Sequence, residues 1–306
     1  MAIALSGGIA ACGRRDREPR GAKSWGNEGF RDGAFLRPRA IATCENEVYV
    51  IDTSGRVQVF TRDGAFLRFW SMPDDKNGTP TALVFAPDGK VLIPDTHYSC
   101  IREYSPEGEL LTSWGSYGAG EDEFIYPTGI DLDDAGNHYF SEYGGGAERV
   151  HVFTPERTFL RQWGGHGDGE GQFNRAMAIA VDRARQCLYV ADTTNHRVQC
   201  FTLEGAFLRV LGGAGGMKYP HDIALAADGT VFAAEYGSHR ITRYAPDGTF
   251  IGAYGGPGRG LGQFNGPRGV AVANDGTVYV ADTDNHRVQY FTVAAHEGDW
   301  PGGSVA

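Results

Sequence analysis

The sequence predicts an all-β chain: a single six-bladed β-propeller with four antiparallel strands per blade. Three observations lead there. A hairpin pattern, two alternating apolar arms around a polar tip, occurs six times at intervals of 43 to 50 residues. Period-two alternation marks strands, and such intervals fit four short strands with turns. The 45 glycines are too many for ordinary helices but suit many tight turns. The last repeat lacks an outer strand, and a matching segment lies at the N-terminus, so the chain can close into a ring without an exposed edge.

The clearest hairpin is VYVADTDNHRVQYF at 278–291, with a near copy, LYVADTTNHRVQCF, at 188–201. Weaker copies lie at 48–60, 91–104, 138–153 and 231–244. An acidic residue ends each first arm: Asp52, Asp95, Glu142, Asp192, Glu235 and Asp282. Strand one is the apolar run after a proline, as at 268–272. Asp88-Gly89, Asp228-Gly229 and Asp275-Gly276 then supply the positive φ of a tight turn. Asp63-Gly64, Glu107-Gly108, Glu204-Gly205 and Asp247-Gly248 turn the chain into the outer strand. The blades span about 38–71, 80–115, 127–164, 174–212, 220–255 and 267–293, the last completed by 20–26 because Lys23-Ser24-Trp25-Gly26 matches Thr112-Ser113-Trp114-Gly115. Residues 32–37 repeat the letters of 63–68. They precede Pro38 as Gly262-Gln263-Phe264 precedes Pro267, so they read as an inter-blade connection.

Asn195-His196-Arg197 and Asn285-His286-Arg287, each preceded by Asp-Thr, together with Gly171-Gln172-Phe173 and Gly262-Gln263-Phe264, resemble the NHL family of β-propellers over about residues 20 to 293. The resemblance implies the fold. It does not choose a function, because such propellers serve as enzymes, sensors and scaffolds.

Outside the repeats, residues 1–11 are small and apolar and lead into Ala10-Ala11-Cys12-Gly13, which resembles a bacterial lipoprotein signal. Cys12 is then the lipidation candidate, residues 1–19 a signal and tether, and the bacterial envelope or periplasm the location. No Lys or Arg precedes the apolar stretch, so a disordered tail on a cytoplasmic protein is the alternative. Residues 294–306 read as a C-terminal tail. The net charge of −10 disfavours a nucleic-acid partner, since phosphate binding needs a cationic field. A membrane is reached only through the lipid anchor. Of five cysteines, Cys187 and Cys200 sit roughly opposite on one hairpin. They read as two buried thiols, with a cross-strand disulfide as the alternative in an oxidising compartment.

The expected site is a rim where strand one begins, on the face to which the hairpin tips point. Aligned repeats place Arg39, Thr81, Thr128, Met177, His221 and Arg268 there, with Ala40, Ala82, Gly129, Ala178, Asp222 and Gly269 next. Asp52, Asp192 and Asp282 read as turn braces paired with Arg56, Arg197 and Arg287. Glu142-Tyr143 and Glu235-Tyr236 replace Asp-Thr, and their longer side chains are expected to reach the rim. A mixed-charge concave rim is the default ligand site. The expected function is therefore binding of a protein, peptide or small polar ligand, with no cofactor and no metal site. The alternative is enzymatic. Tyr219-Pro220-His221 resembles the Pro-His segments of the peptidylglycine-lyase branch of this fold, which implies a metal-dependent lyase or hydrolase using His221, Asp222 and Glu235, with Arg39 and Arg268, and zinc or calcium. The equivalent positions carry Arg, Thr, Thr, Met and Arg, and a lone imidazole is a poor zinc site.

Overall fold

The computed structural model describes residues 21–73, 76–146, 148–212 and 216–292. Cys12, the expected signal and tether, and the C-terminal tail lie outside the described residues.

Six four-stranded antiparallel sheets form the blades of a propeller. Blade one runs Pro38–Cys44, Glu47–Asp52, Arg56–Thr61 and Phe66–Ser71. Blades two to five follow over 84–114, 126–164, 176–211 and 220–255. Blade six holds Gly269–Val272, Thr277–Asp282 and Arg287–Thr292, and its outer strand is Lys23–Trp25, paired in register Lys23 to Tyr290, Ser24 to Gln289 and Trp25 to Val288. Among the described residues the ring is therefore closed by the first strand against the last.

The core is not central. It is divided into six apolar clusters, each between two neighbouring blades, with blades six and one sharing Phe35, Ile41, Val50, Phe60, Tyr279 and Val288. Middle strands are thus covered on both faces, which is why Val231–Glu235 and Cys187–Asp192 are buried at every position. Phe35, Phe124, Phe173 and Phe264 are fully buried in the connections, and three of them form equivalent parallel bridges: Glu28 to Phe35, His166 to Phe173 and Pro257 to Phe264. The segment at 32–37 is accordingly a connection, whatever letters it shares with an outer strand.

At the periphery each outer strand reaches the next blade. A Cβ on Gly64 would lie 2.6 Å from the Trp25 ring, one on Gly108 2.5 Å from Trp70, and one on Gly205 2.7 Å from Trp163. Trp25 thus does for blade six what Trp70 and Trp163 do for blades one and three. The turn of blade three has Arg157 instead of glycine at φ 68°, and its guanidinium lies 5.9 Å from the Trp114 ring centroid. Cys187 and Cys200 are free, buried thiols, and they are diagonal neighbours: Cys200 faces Tyr189, and Cys187 faces Thr202.

Candidate functional site at the mouth of the central channel

The six inner strands surround an axial cavity of about 300 Å³, lined mainly by alanine and larger aliphatic residues with Gly129, Asp131, Arg183 and Asp222. Small residues are required here. A Cβ on Gly129 would lie 2.6 Å from the Ser141 hydroxyl and 2.8 Å from Ala178, and one on Gly269 would lie 2.7 Å from the Arg39 carbonyl oxygen.

One device, repeated around the ring, aims side chains at the mouth. The hairpin-tip residue of one blade accepts a backbone N–H just ahead of strand one in the next. His196 Nδ1 takes Tyr219 N (3.1 Å), His239 Nδ1 takes Gly266 N (2.9 Å), His286 Nδ1 takes Arg37 N (3.3 Å), and Glu148 takes Arg175 N (2.8 Å). All four recipients have left-handed backbone: Arg37 at φ 53°, Arg175 at 67°, Tyr219 at 49° and Gly266 at 57°. Three are not glycine, so the caps hold a conformation that L-residues avoid. Two residues later, strand one carries a bulge. Register skips Arg39, Thr128, Met177 and His221 in blades one, three, four and five. A bulge re-aims the extra residue, and here it turns the aligned ring positions off the ladder.

The charge at this mouth opposes that of the whole chain. Arg39 and Arg268 are half-buried, and the Nε of each is buried without a hydrogen-bond partner. Burial, then the neighbouring Arg268, Arg37 and Arg175, pull the Arg39 pKa down to about 10 against a small opposing effect of Tyr143. Arg268 Nη1 lies 3.0 Å from His221 Nε2. A guanidinium only donates, so His221 is the acceptor and its proton sits on Nδ1. Burial and the charges of Arg268, Arg39 and Arg175 push the His221 pKa down to about 3. The imidazole is neutral and holds Arg268 in place. Tyrosines flank the arginines: the guanidinium of Arg268 is 4.5 Å from the Tyr236 centroid and that of Arg175 is 4.8 Å from the Tyr143 centroid.

Several expected rim residues are placed elsewhere. The carboxylates of Glu142 and Glu235 are fully buried and do not reach the mouth. Glu142 binds Arg149 and accepts Ile125 N (2.9 Å); Glu235 binds Arg240 and accepts Lys218 N (3.0 Å). Asp52, Asp192 and Asp282 do the same with Arg56, Arg197 and Arg287 and the N–H groups of Leu36, Asn174 and Asn265. The extra methylene of the two glutamates is absorbed inward, because an unpaired buried arginine would be costly. Thr128 is fully buried with its hydroxyl on Ala176 O (2.7 Å), Met177 is buried, and Thr81 is half-buried with its hydroxyl on Thr128 O (3.2 Å). Asp222 faces the channel wall, where its two oxygens accept Ile223 N and Val270 N at 2.9 Å each, and burial raises its pKa to about 7. The mouth therefore carries Arg39, Arg175 and Arg268 with no carboxylate paired to any of them among the described residues, beside the Arg37–Asp284 pair. Arg175, absent from the aligned ring, belongs to it; the sequence signal was Tyr143, whose ring needed a partner from the next blade.

This donor set does not suit zinc or calcium. His221 is the one imidazole in the ring, its Nε2 faces a guanidinium, and two further cations lie near. Among the described residues no three His, Cys, Asp or Glu side chains are grouped to hold a metal ion.

In comparisons, the NHL repeat model matches residues 173–201 and 264–291, the two hairpins with the Asn-His tips and the connections leading into them. No curated protein matches in sequence. Solved structures with similar folds include streptogramin B lyase, 16% identical with a TM-score of 0.63, covering 88% of this chain and 96% of that one. A protein of unknown function from Bacteroides thetaiotaomicron is 13% identical with a TM-score of 0.69, covering 90% and 76%. A chain of the nidogen/laminin complex is 14% identical with a TM-score of 0.57, covering 71% and 80%. At these identities the likeness is one of fold. The chain is thus a six-bladed β-propeller of closed four-stranded blades, with NHL repeats matched in blades four and six.

Proposed function

We propose that the protein is a binding module that receives its ligand at the mouth of the central channel, on the face that carries the strand-one bulges. The observation that supports this reading is the pair of half-buried arginines, Arg39 and Arg268, whose Nε hydrogens lack partners. Buried donors normally find acceptors, and a pair left without them beside the axial cavity, with tyrosines at hand, fits a ligand that completes it. The ligand is a small polar molecule or a polar group presented by a peptide or partner protein; the nidogen/laminin neighbour supports the latter form. No cofactor enters this reading. Envelope attachment through Cys12 accompanies it as a separate proposal, tested by globomycin-sensitive processing.

The likeness to streptogramin B lyase supports a second reading, a metal-dependent lyase or hydrolase centred on His221. It requires His221 Nε2 to leave Arg268. Stoichiometric zinc or calcium in the purified protein, lost on His221→Ala, would favour it. The binding reading is tested by soaking crystals with a library of small polar fragments, neutral and anionic. Fragments should collect at Arg39 and Arg268. Accumulation only elsewhere, such as beside Arg183 at the far end of the channel, would contradict it.

A further inference from the structure

We propose that the channel mouth is an oxyanion receptor: a carboxylate or phosphoryl group of a small ligand seats between the guanidinium groups of Arg39 and Arg268, with Arg175 at its edge. The inference rests on the reading of the mouth as the binding site and adds the chemistry of what binds.

The charge balance around the mouth is the first argument. Every nearby carboxylate is already engaged. Asp284 pairs with Arg37 (2.8 Å), Glu142 with Arg149, and Glu235 with Arg240 (3.2 Å). Glu148 accepts backbone N–H groups of Gly144 and Arg175. Among the described residues no carboxylate pairs with Arg39, Arg175 or Arg268. Half-buried Arg39 and Arg268, with exposed Arg175 near them, thus gather without a carboxylate paired to any of the three, in a chain that is otherwise acidic. Like charges so placed repel, and an anion between them relieves the repulsion.

Geometry is the second. A guanidinium presents planar N–H donors that match the two oxygens of a carboxylate or phosphoryl group. Arg39 and Arg268 each bring such a fork, and the buried Nε of each has no partner. Blades one and six press together here, as the close approach of Gly269 to the Arg39 carbonyl shows, so the two arginines come from abutting strands. Arg268 is fixed from two sides, by His221 at one terminal nitrogen and by the face of Tyr236. His221 is therefore a positioning residue: being neutral, it adds no charge and orients the fork. A preorganised fork loses little conformational freedom on binding.

Where strand one begins in blades four and six, a matched pair of substitutions supports the assignment. Thr193 and Thr283 follow the acidic marker in blades four and six and donate to the carbonyls of Pro220 and Pro38 in the next blade (2.6 and 2.7 Å). Tyr143 and Tyr236 occupy the same place in blades three and five. In those two cases the next blade supplies an arginine against the ring, Arg175 and Arg268. Each departure from threonine thus coincides with a cation brought to the mouth.

The test is calorimetric titration of the full chain at low ionic strength with inorganic phosphate, sulfate and citrate. One saturable site is expected. Arg39→Gln and Arg268→Gln should each weaken it at least ten-fold, while Arg62→Gln, outside the mouth, leaves it unchanged. Tighter phosphate than citrate identifies a phosphoryl source, and the reverse a carboxylate; either supports the class. His221→Gln, whose side-chain oxygen can accept from Arg268, should retain affinity that His221→Leu loses. Equal affinity in those two variants overturns the positioning role. Should Arg268→Gln unfold, Arg268→Lys reads the same loss of the fork with the charge kept. No saturable anion binding, or binding that Arg39→Gln and Arg268→Gln do not weaken, overturns the oxyanion inference. If neutral fragments still occupy the mouth in the crystal soak, only that inference falls; if no fragment of either kind does, the binding reading falls with it.

Discussion

His221, in strand one of blade five, illustrates how much one side chain's surroundings decide. As a letter in a repeat it invites catalysis; in place, its Nε2 accepts from Arg268 and burial keeps it neutral, with a pKa near 3. His151 is a second buried imidazole, in blade three, donating to Gln162 (2.7 Å), with burial and then Arg149 lowering its pKa to about 4. Both groups bind a proton more readily in the unfolded chain, whose histidines titrate near 6.5. Their stabilising effect is complete above that value and is lost as pH falls toward 4 and then 3. Chemical denaturation across pH 7 to 4 should therefore show falling stability, and His151→Gln, which keeps the donor to Gln162, should flatten the fall. An unchanged slope would show that His151 is not held neutral. The environment of His221 was not legible in the sequence, because burial and a guanidinium 47 residues away set it. The bracing role of Asp52, Asp192 and Asp282 was legible, since the arginine that each binds opens the next strand of its own hairpin. Side-chain length alone points Glu142 and Glu235 to the rim, but Arg149 and Arg240, which open the next strand of each hairpin, hold them inward.

At the scale of the element, the turn glycines separate backbone need from packing need. Gly89 (φ 85°) and Gly108 (φ 93°) are both left-handed. A Cβ on Gly89 meets nothing within 4 Å, whereas one on Gly108 lies 2.5 Å from the Trp70 ring. Gly89→Ala should thus cost about 1–2 kcal/mol, the backbone penalty alone. Gly108→Ala should cost a further ~1–3 kcal/mol for the displaced indole. Urea denaturation of the two variants reads the difference directly, and equal losses would remove Trp70 from the inter-blade contact. The tip histidines are a second such device. His196→Ala leaves Tyr219 N without its acceptor and should release the left-handed residue ahead of Pro220, seen as faster amide exchange at Tyr219 and His221 with the other blades unchanged. The hairpins themselves were plain in the sequence, being local and periodic. The bulges were not, because an extra residue in strand one shows only against its pairing partner.

The whole molecule depends on closure. Trp25 sits against Phe60, Tyr279 and Tyr290, with ring centroids 5.3 to 6.0 Å apart, and fills the place that Gly64 leaves open. Deleting 20–26 removes the outer strand of blade six and exposes an edge, and should lower the melting temperature by on the order of 10 °C, given a large-aromatic loss of about 3–5 kcal/mol and roughly 2–4 °C per kcal/mol. Deleting 297–306 should change it little; equal effects would sink the closure. This long-range pairing was readable because the missing sixth outer strand and the surplus N-terminal match are two halves of one count. The sign of the charge at the mouth was not readable, for it follows from which carboxylates turn inward at six separate hairpins, and a net charge of −10 points the other way. That local cationic mouth is the central claim, and side-chain Nε NMR of the arginines tests it most directly. On titration with inorganic phosphate, the Nε–H resonances of Arg39 and Arg268 should shift together along one saturable isotherm, with Arg175 following, while exposed arginines such as Arg183 stay still. Shifts spread evenly over all arginines, or none at Arg39 and Arg268, would contradict it.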